Sequence, residues 1–137
     1  MQALVSESGI ETAQNIRFKL SSLAVTSQIG EVPVAHIKLI IDGQEAHANA
    51  QGSGPVDTVF KAIEQLAASN TSLELYSVNV ITIGTDSQSE VTVRLEKTGR
   101  IVNGLGADTD IIIASVKAYI HALNTLGRSF EKADPQV

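Results

Sequence analysis

The 137-residue chain has no cysteine, which excludes disulfide bonds, thiol catalysis and zinc sites built on thiolates. No apolar run approaches the roughly 18 residues of a membrane-spanning helix, and the first residues lack a signal-peptide pattern. Acidic residues outnumber basic ones by 15 to 10, so there is no broad positive field for nucleic acid or anionic lipid. These absences predict a globular, cytoplasmic protein that binds neither nucleic acid nor a membrane.

Motifs for catalysis and for cofactors are also missing. The histidines at 36, 47 and 121 are dispersed without metal-ligand spacing, and we interpret His36, His47 and His121 as structural or surface residues. Ser53 lies in Gly-Ser-Gly-Pro, which is not the nucleophile elbow Gly-x-Ser-x-Gly. The Walker pattern is absent, and neither Gly-x-Gly stretch completes a dinucleotide fingerprint. The sequence therefore predicts no catalytic residue, metal site or cofactor on this chain.

The first half of the chain has the pattern of three strands and a helix. Asp42-Gly43 is a favourable hairpin turn between two β-prone runs. Pro55 suits the first turn of a helix, and the apolar residues after it recur at i, i+4, i+7 and i+8, as on one core-facing stripe. This pattern predicts a βββα unit at 16–70. Its strands are expected at about 16–27, 33–41 and 44–51.

The second half repeats this order at 71–127. Strands are predicted at 73–83 and 89–97, with a shorter one beginning at Arg100 after a Thr98-Gly99 turn. A long helix follows, with Asp108 or Thr109 as its cap and Gly127 as its stop. Asp108 and Asp110 could form a catalytic carboxylate pair, but acidic residues in a first turn more often complement the helix dipole. The sequence predicts a linker remnant or disordered lead-in at 1–15 and a polar tail at 128–137.

The second helix is apolar on more than one side. One stripe contains mostly large residues and the other mostly small ones, and a helix apolar this far round rarely faces water. One stripe can cover the sheet, so the other is expected to meet the sister helix, a second subunit or a ligand. The two stripes consist of Ile112, Val116, Tyr119, Leu123 and Leu126, and of Ile111, Ala114, Ala118 and Ala122.

Two glycine stretches, "GSGPVDTVFKAI" from Gly52 and "GLGADTDIIIAS" from Gly104, each precede an apolar helix pattern. A glycine loop that opens a helix presents free backbone N–H groups at the positive end of the helix dipole. Such a site suits a carboxylate or a phosphate. A side chain at Gly54 is expected to crowd the ligand or to forbid the turn. The duplication therefore predicts related clefts for a small molecule with one carboxylate and an apolar body.

These stretches, together with "LELYSVNVITIGTDSQSEVTVRLE", resemble the C-terminal regulatory domain of the 2-isopropylmalate synthases, which is shared with the citramalate synthases. The resemblance runs from about Phe18 to Leu126. It implies an α+β fold in which two tandem βββα units are related by a pseudo-twofold and each antiparallel sheet is covered by a helix. It also implies a homodimer and feedback inhibition by an amino acid, which is leucine for the first group of enzymes and isoleucine for the second.

The same resemblance implies where the effector binds. It gives residues in the first glycine loop, on the following strand, in a loop that closes over the ligand, and in the second glycine loop. In that order they are Gly52, Gly54, Val56 and Asp57; Leu73, Tyr76 and Val80; Ser87 and Gln88; and Gly106, Ala107 and Asp108.

Nothing in the chain resembles the catalytic barrel of these enzymes, where the divalent metal and acetyl-CoA are expected. "MQALVSESG" resembles the end of the linker before the regulatory domain, so we expect an excised domain or, as an alternative, a free-standing relative. The leading hypothesis is a leucine-binding, dimerising regulatory domain of an acyltransferase. The alternatives are an isoleucine sensor, a dimerisation module without ligand and, last, an independent enzyme.

Overall fold

The computed structural model describes residues 17–136, which form two three-stranded antiparallel sheets, each followed by a helix. The predicted fold of two tandem βββα units is confirmed, and the predicted linker at 1–15 lies outside the described residues. The elements are β1 (Phe18–Thr26), β2 (Val34–Ile41), β3 (Gln44–Gln51), α1 (Pro55–Ala67), β4 (Ser72–Ile83), β5 (Asp86–Lys97), β6 (Arg100–Asp108) and α2 (Ile111–Gln136).

Tight hairpins set the strand order β1-β2-β3 in the first sheet and β4-β5-β6 in the second. Asp42 and Gly43 join β2 to β3 with φ values of 52° and 86°, and Thr98 and Gly99 join β5 to β6 with 48° and 83°. Positive φ at both central residues is the geometry whose twist matches that of the flanking strands. Both predicted hairpin turns are therefore confirmed.

The core lies between each sheet and its own helix. The middle strands alternate buried and more exposed residues, and their buried side chains form the inner face of each sheet. Helix α1 packs on β2 and β3, and α2 packs on β5 and β6. The first strand of each unit, β1 or β4, therefore lies outside the main helix contact. The fully buried strand residues are Ala35, Ile37 and Leu39 in β2, and Val91, Val93 and Leu95 in β5.

Helix α2 lies very close to β6 because two strand residues facing it have no side chain. A Cβ added to Gly104 would overlap the carbonyl oxygen of Ala118, and one added to Gly106 would overlap that of Ala114. The small-residue stripe of α2 thus covers its own sheet. The interpretation of residues 104–108 as a loop is wrong, since β6 continues to Asp108. At nine residues β6 is also longer than the eight-residue β3, not shorter as predicted.

The ends of α2 also differ from the sequence prediction. Asp110 is its cap, since Asp110 Oδ1 accepts hydrogen bonds from the N–H groups of Ile112 at 2.8 Å and Ile113 at 3.3 Å. The choice of Asp108 or Thr109 as cap is therefore wrong. The helix does not stop at Gly127 but continues to Gln136. No break is imposed because glycine lowers helix stability by only about 1 kcal/mol relative to alanine.

The second helix also reaches the beginning of the first strand. Asn124 is nearly buried, and its Oδ1 accepts hydrogen bonds from the N–H groups of Arg17 at 2.9 Å and Phe18 at 2.8 Å. Its Nδ2 donates to the carbonyl oxygen of Phe18 at 3.0 Å. One amide side chain therefore satisfies the backbone of Phe18 in both directions and joins the two units.

Candidate functional site

The first turn of α1 is open to a ligand. Gly54 is the N-cap residue in an extended conformation, and no side chain of the described residues caps this end. Pro55 has no N–H group, and the first intrahelical bond runs from the N–H of Thr58 to the carbonyl of Gly54 at 2.9 Å. The N–H groups of Val56 and Asp57 therefore have no side-chain acceptor at the positive end of the helix. This arrangement suits an anionic group.

The glycines before α1 differ in what they require. A Cβ on Gly52 would lie 2.6 Å from Asp57 Oδ2, 2.7 Å from Thr58 Oγ1 and 3.0 Å from Thr58 Cα, so a side chain there would force the buried Thr58 to shift. Gly54 has nothing within 4 Å of an added Cβ, and its φ of −153° is accessible to any residue. The expectation that a side chain at Gly54 would forbid the turn is therefore wrong. The other expected reason for a glycine at position 54, that a side chain there would crowd a ligand, stays a prediction.

The Asp57 carboxylate links the loop before α1 to the first turns of the helix. It accepts a hydrogen bond from the N–H of Ser53 at 3.1 Å and lies 3.3 Å from the ammonium group of Lys61. The hydrogen bond from Ser53 is the main cause that holds the pKa of Asp57 below its usual range; burial opposes it, and Lys61 lowers the pKa further. Asp57 is thus an ionised group that fixes the loop beside the open N–H groups.

The start of α2 has no equivalent opening. Helices α1 and α2 begin 56 positions apart (111 − 55), so the capping Asp110 corresponds to Gly54, whereas the glycine stretches are 52 positions apart. Asp108 accepts from the N–H of Asp110 at 2.9 Å and pairs with Lys117 at 3.0 Å. These two contacts lower the pKa of Asp108. The prediction of two related anion-binding clefts is therefore wrong for the second stretch.

The inner face of β4 carries an exposed aliphatic surface. Leu73 is 48% exposed, Val78 36% and Val80 63%, although Val78 pairs with the fully buried Val91. They are exposed because α2 covers β5 and β6 rather than β4. Adjacent exposed apolar side chains of this kind often mark a binding site or an interface. We call Leu73, Tyr76, Val78 and Val80 the β4 face.

A β-bulge places the predicted pocket residues on one side of the strand. Leu73 and Tyr76 are three positions apart and would face opposite sides of a regular strand. The register shift between Leu73 and Leu75 pairs Leu73 with Leu95 and Tyr76 with Val93, whose side chains are both in the core. The extra residue therefore brings Leu73 onto the same face as Tyr76 and Val80.

Tyr76 stands in the middle of the β4 face and is fixed by both helices. Its hydroxyl oxygen lies 2.7 Å from Ser115 Oγ on α2, and its ring meets Phe60 of α1 edge to face, with centroids 5.9 Å apart. Neither Ser115 nor Phe60 was predicted as a site residue. Neither belongs to the apolar stripes that the sequence predicts for the two helices, and only the fold shows that they meet Tyr76.

A second buried contact joins the helices next to this one. The Phe60 ring lies 4.5 Å from that of Tyr119, whose hydroxyl donates a 2.8 Å hydrogen bond to Glu64 Oε2. Glu64 also accepts hydrogen bonds from the hydroxyl and the N–H of Ser69, just after α1. Burial raises the pKa of Tyr119, and the charge of Glu64 raises it further. Tyr119 is therefore held as a neutral donor.

Ser87 and Gln88 do not lie in a loop. They belong to β5, and the β4–β5 connection consists of Gly84 and Thr85 alone, so the predicted loop that closes over a ligand is wrong. Ser87 pairs with Thr82, with their hydroxyl oxygens 3.2 Å apart, and shares the side of the sheet that carries Val80. Gln88 is the next residue, so it faces the opposite side.

The predicted site residues of the second glycine stretch also lie on opposite faces of the sheet. Gly106 lies beneath α2, and Asp108 is on the inner face in line with Ser89 and Val80, two strand spacings or about 10 Å from Val80. Ala107 pairs with Glu90 on the outer face. The structure thus brings Leu73, Tyr76 and Val80 together but separates Gln88 and Ala107 from them.

The histidines lie away from the β4 face. His36 and His47 line a groove of about 490 Å³ on the outer face of the first sheet, where His36 Nδ1 is 2.6 Å from Asn49 Oδ1. His121 accepts a hydrogen bond from the N–H of Leu105 at 2.9 Å. Among the described residues, no group of three His, Cys, Asp or Glu side chains could hold a metal ion. Over the same range, no helix is long and apolar enough to cross a membrane.

Comparison with known proteins shows the family to which this chain belongs. Residues 1–127 match the model of the LeuA allosteric (dimerisation) domain, and the chain belongs to that family. The resemblance noted in the sequence is therefore confirmed.

Similar proteins are 2-isopropylmalate synthases. Those of Thiobacillus denitrificans and Nitrosococcus oceani are 57% and 56% identical over the whole chain, which covers 27% of each relative. That of Chromobacterium violaceum is 58% identical over 126 residues, which is 92% of this chain and 24% of the relative. The chain thus spans about a quarter of the length of these curated relatives.

Proposed function

We propose that this chain is the effector-binding part of a 2-isopropylmalate synthase and that leucine bound to it inhibits the enzyme. The observation that carries the proposal is the β4 face, where exposed aliphatic side chains surround a tyrosine fixed by both helices. An apolar surface of this kind suits a short branched aliphatic group, because ligand sites are mostly apolar with a few placed polar groups.

The carboxylate of the amino acid would bind at the first turn of α1. Its open N–H groups belong to Val56 and Asp57, and Phe60 lies one turn further along the same helix. At 1.5 Å per residue, Pro55 and Phe60 are about 7.5 Å apart along the axis. Because Phe60 contacts Tyr76, the helix start lies near the β4 face. One ligand with a carboxylate and an aliphatic end could therefore use both features.

We also propose that the chain forms a homodimer. The β4 face is more exposed than apolar residues of a stable monomer usually are, and the family is described as a dimerisation domain. A second copy would cover part of this surface. Binding and dimerisation would then involve neighbouring residues.

In this proposal the acyl transfer from acetyl-CoA to 2-oxoisovalerate takes place in the cytoplasm, on the catalytic barrel of the parent enzyme. The divalent metal and acetyl-CoA are assigned to that barrel by the resemblance to the 2-isopropylmalate synthases. This chain would supply regulation only.

Titration calorimetry with leucine, isoleucine and valine tests the proposal. Leucine is expected to bind most tightly of the three. Tightest binding of isoleucine would instead indicate an effector domain of the citramalate synthase type. If none of the three amino acids produces heat of binding, the chain is better described as a dimerisation module without ligand.

A further inference from the structure

Ser115 is a polar residue on the buried side of α2. The residues around it on the helix, among them Ala114, Val116 and Tyr119, are buried and mostly apolar, and Ser115 itself is fully buried. A buried hydroxyl is costly unless it is hydrogen-bonded, and an alanine would fill the helix position without that requirement. The serine therefore has its role in the contacts it makes.

The direction of those hydrogen bonds follows from the number of protons. Ser115 Oγ lies 2.7 Å from the carbonyl oxygen of Ile111, which can only accept, so the single serine proton points there. Towards the Tyr76 hydroxyl, also at 2.7 Å, Ser115 must accept. The Tyr76 O–H group therefore donates to Ser115, and the serine O–H donates to the backbone of α2.

This arrangement fixes the Tyr76 ring at both ends. The backbone of β4 holds one end, Ser115 holds the hydroxyl, and Phe60 packs against the ring at an interplanar angle of 76°. A tyrosine side chain has only two torsions, so fixing the hydroxyl leaves the ring one position. The position of the Tyr76 ring determines the depth of the β4 face between Leu73 and Val80.

We propose that Ser115 determines the specificity of the effector site without touching the effector. The inference rests on the proposed function, namely that a branched-chain amino acid binds on the β4 face. Valine lacks one methylene of leucine, and isoleucine has its branch one carbon earlier. A methylene changes binding by roughly 10- to 200-fold when the pocket wall cannot adjust. Ser115 provides such a wall by holding Tyr76, so it acts as a positioning residue.

The test compares affinity ratios rather than affinities. Calorimetric Kd values for leucine, isoleucine and valine are measured on the parent chain, Ser115→Ala, Tyr76→Phe and the double variant. Each single change should reduce the ratio of Kd between the best and second-best amino acid at least threefold. The double variant should reduce it no further, since both single changes break the same hydrogen bond.

Tyr119→Phe is the matched control, because it removes a hydroxyl from the same aromatic group but from the side bonded to Glu64. Its affinity ratio should equal that of the parent. An unchanged ratio in folded Ser115→Ala and Tyr76→Phe would refute the inference while leaving the effector site standing. If Ser115→Ala does not fold, the affinity ratio of Tyr76→Phe tests the inference, because in that variant Ser115 keeps its hydrogen bond to Ile111. If the parent binds none of the three amino acids, the proposed function fails and this inference fails with it.

Discussion

Replacing Val80 by phenylalanine is expected to weaken leucine binding at least tenfold without disturbing the fold. Val80 is 63% exposed on the β4 face, so a larger side chain meets no packed core there. Surface substitutions of this kind usually change the free energy of unfolding by less than about 0.5 kcal/mol. Phenylalanine also suits a strand. The structural cost should therefore be small.

The expected loss of affinity follows from the space that the added ring takes. In the proposed complex the aliphatic end of leucine lies against Val80 and its neighbours. Each buried methylene contributes about 0.8 kcal/mol, so excluding two carbon atoms of the ligand costs about 1.6 kcal/mol. A tenfold change in Kd corresponds to about 1.4 kcal/mol. The loss should therefore be at least tenfold.

Calorimetric titration with leucine measures the effect, and circular dichroism and sedimentation check fold and assembly. Leu105→Phe is the matched control, because Leu105 is 62% exposed but pairs with Thr92 on the outer face of the same sheet. It should bind leucine like the parent. In a full-length synthase, Val80→Phe should relieve inhibition and leave the catalytic rate near normal. If Val80→Phe binds leucine as tightly as the parent chain, the proposed pocket is in the wrong place.

Four further outcomes are expected. Without ligand at micromolar concentration, the chain should sediment as an assembly larger than 14.5 kDa, and a species of that mass alone would contradict the proposed dimer. With acetyl-CoA, 2-oxoisovalerate and added divalent metal, condensation should stay at background, and turnover retained through further purification would overturn the regulatory assignment. Urea denaturation should show that Gly52→Ala lowers the free energy of unfolding by about 1–3 kcal/mol and Gly54→Ala by less than about 1 kcal/mol, whereas equal costs would refute the steric argument. Because burial raises the pKa of Tyr119, its contribution to stability is complete below its unfolded pKa of about 10 and is lost as the pH rises beyond that value. Tyr119→Phe should flatten this alkaline loss, and equal losses in both proteins would show that Tyr119 is not its cause.

The strands and turns could be predicted because their signals are local. Gly43 and Gly99 adopt the positive φ that a two-residue hairpin needs without steric cost, and Asp42 tolerates that region better than most residues. The β-branched Thr98 adopts it as well, so at this turn the sequence signal is the glycine that follows. Pro55 likewise indicates the start of α1 through its own restricted backbone. Each of these elements depends on residues adjacent in sequence, so the sequence alone predicts it.

Gly104 and Gly106 show why part of the site could not be predicted. In sequence they look like Gly52 and Gly54, yet they are required by the approach of α2, whose contacting residues come 8 or more positions later. A glycine pattern does not distinguish a loop from a strand beneath a helix. The exposure of Val80 could not be predicted from the sequence for a similar reason, because it depends on which strands α2 covers.

The Asn124 contact has a consequence for how the chain folds. It satisfies the N–H and carbonyl groups of Phe18 across a sequence separation of 106 residues, so the first strand is completed only after the last helix is in place. Closing so long a loop costs entropy before any contact compensates for it, which slows folding. The first half alone would lose these partners for Phe18, and the second half would leave the polar side chain of Asn124 without them. Although the sequence pattern is repeated, the two halves are therefore expected to unfold together in a single cooperative transition.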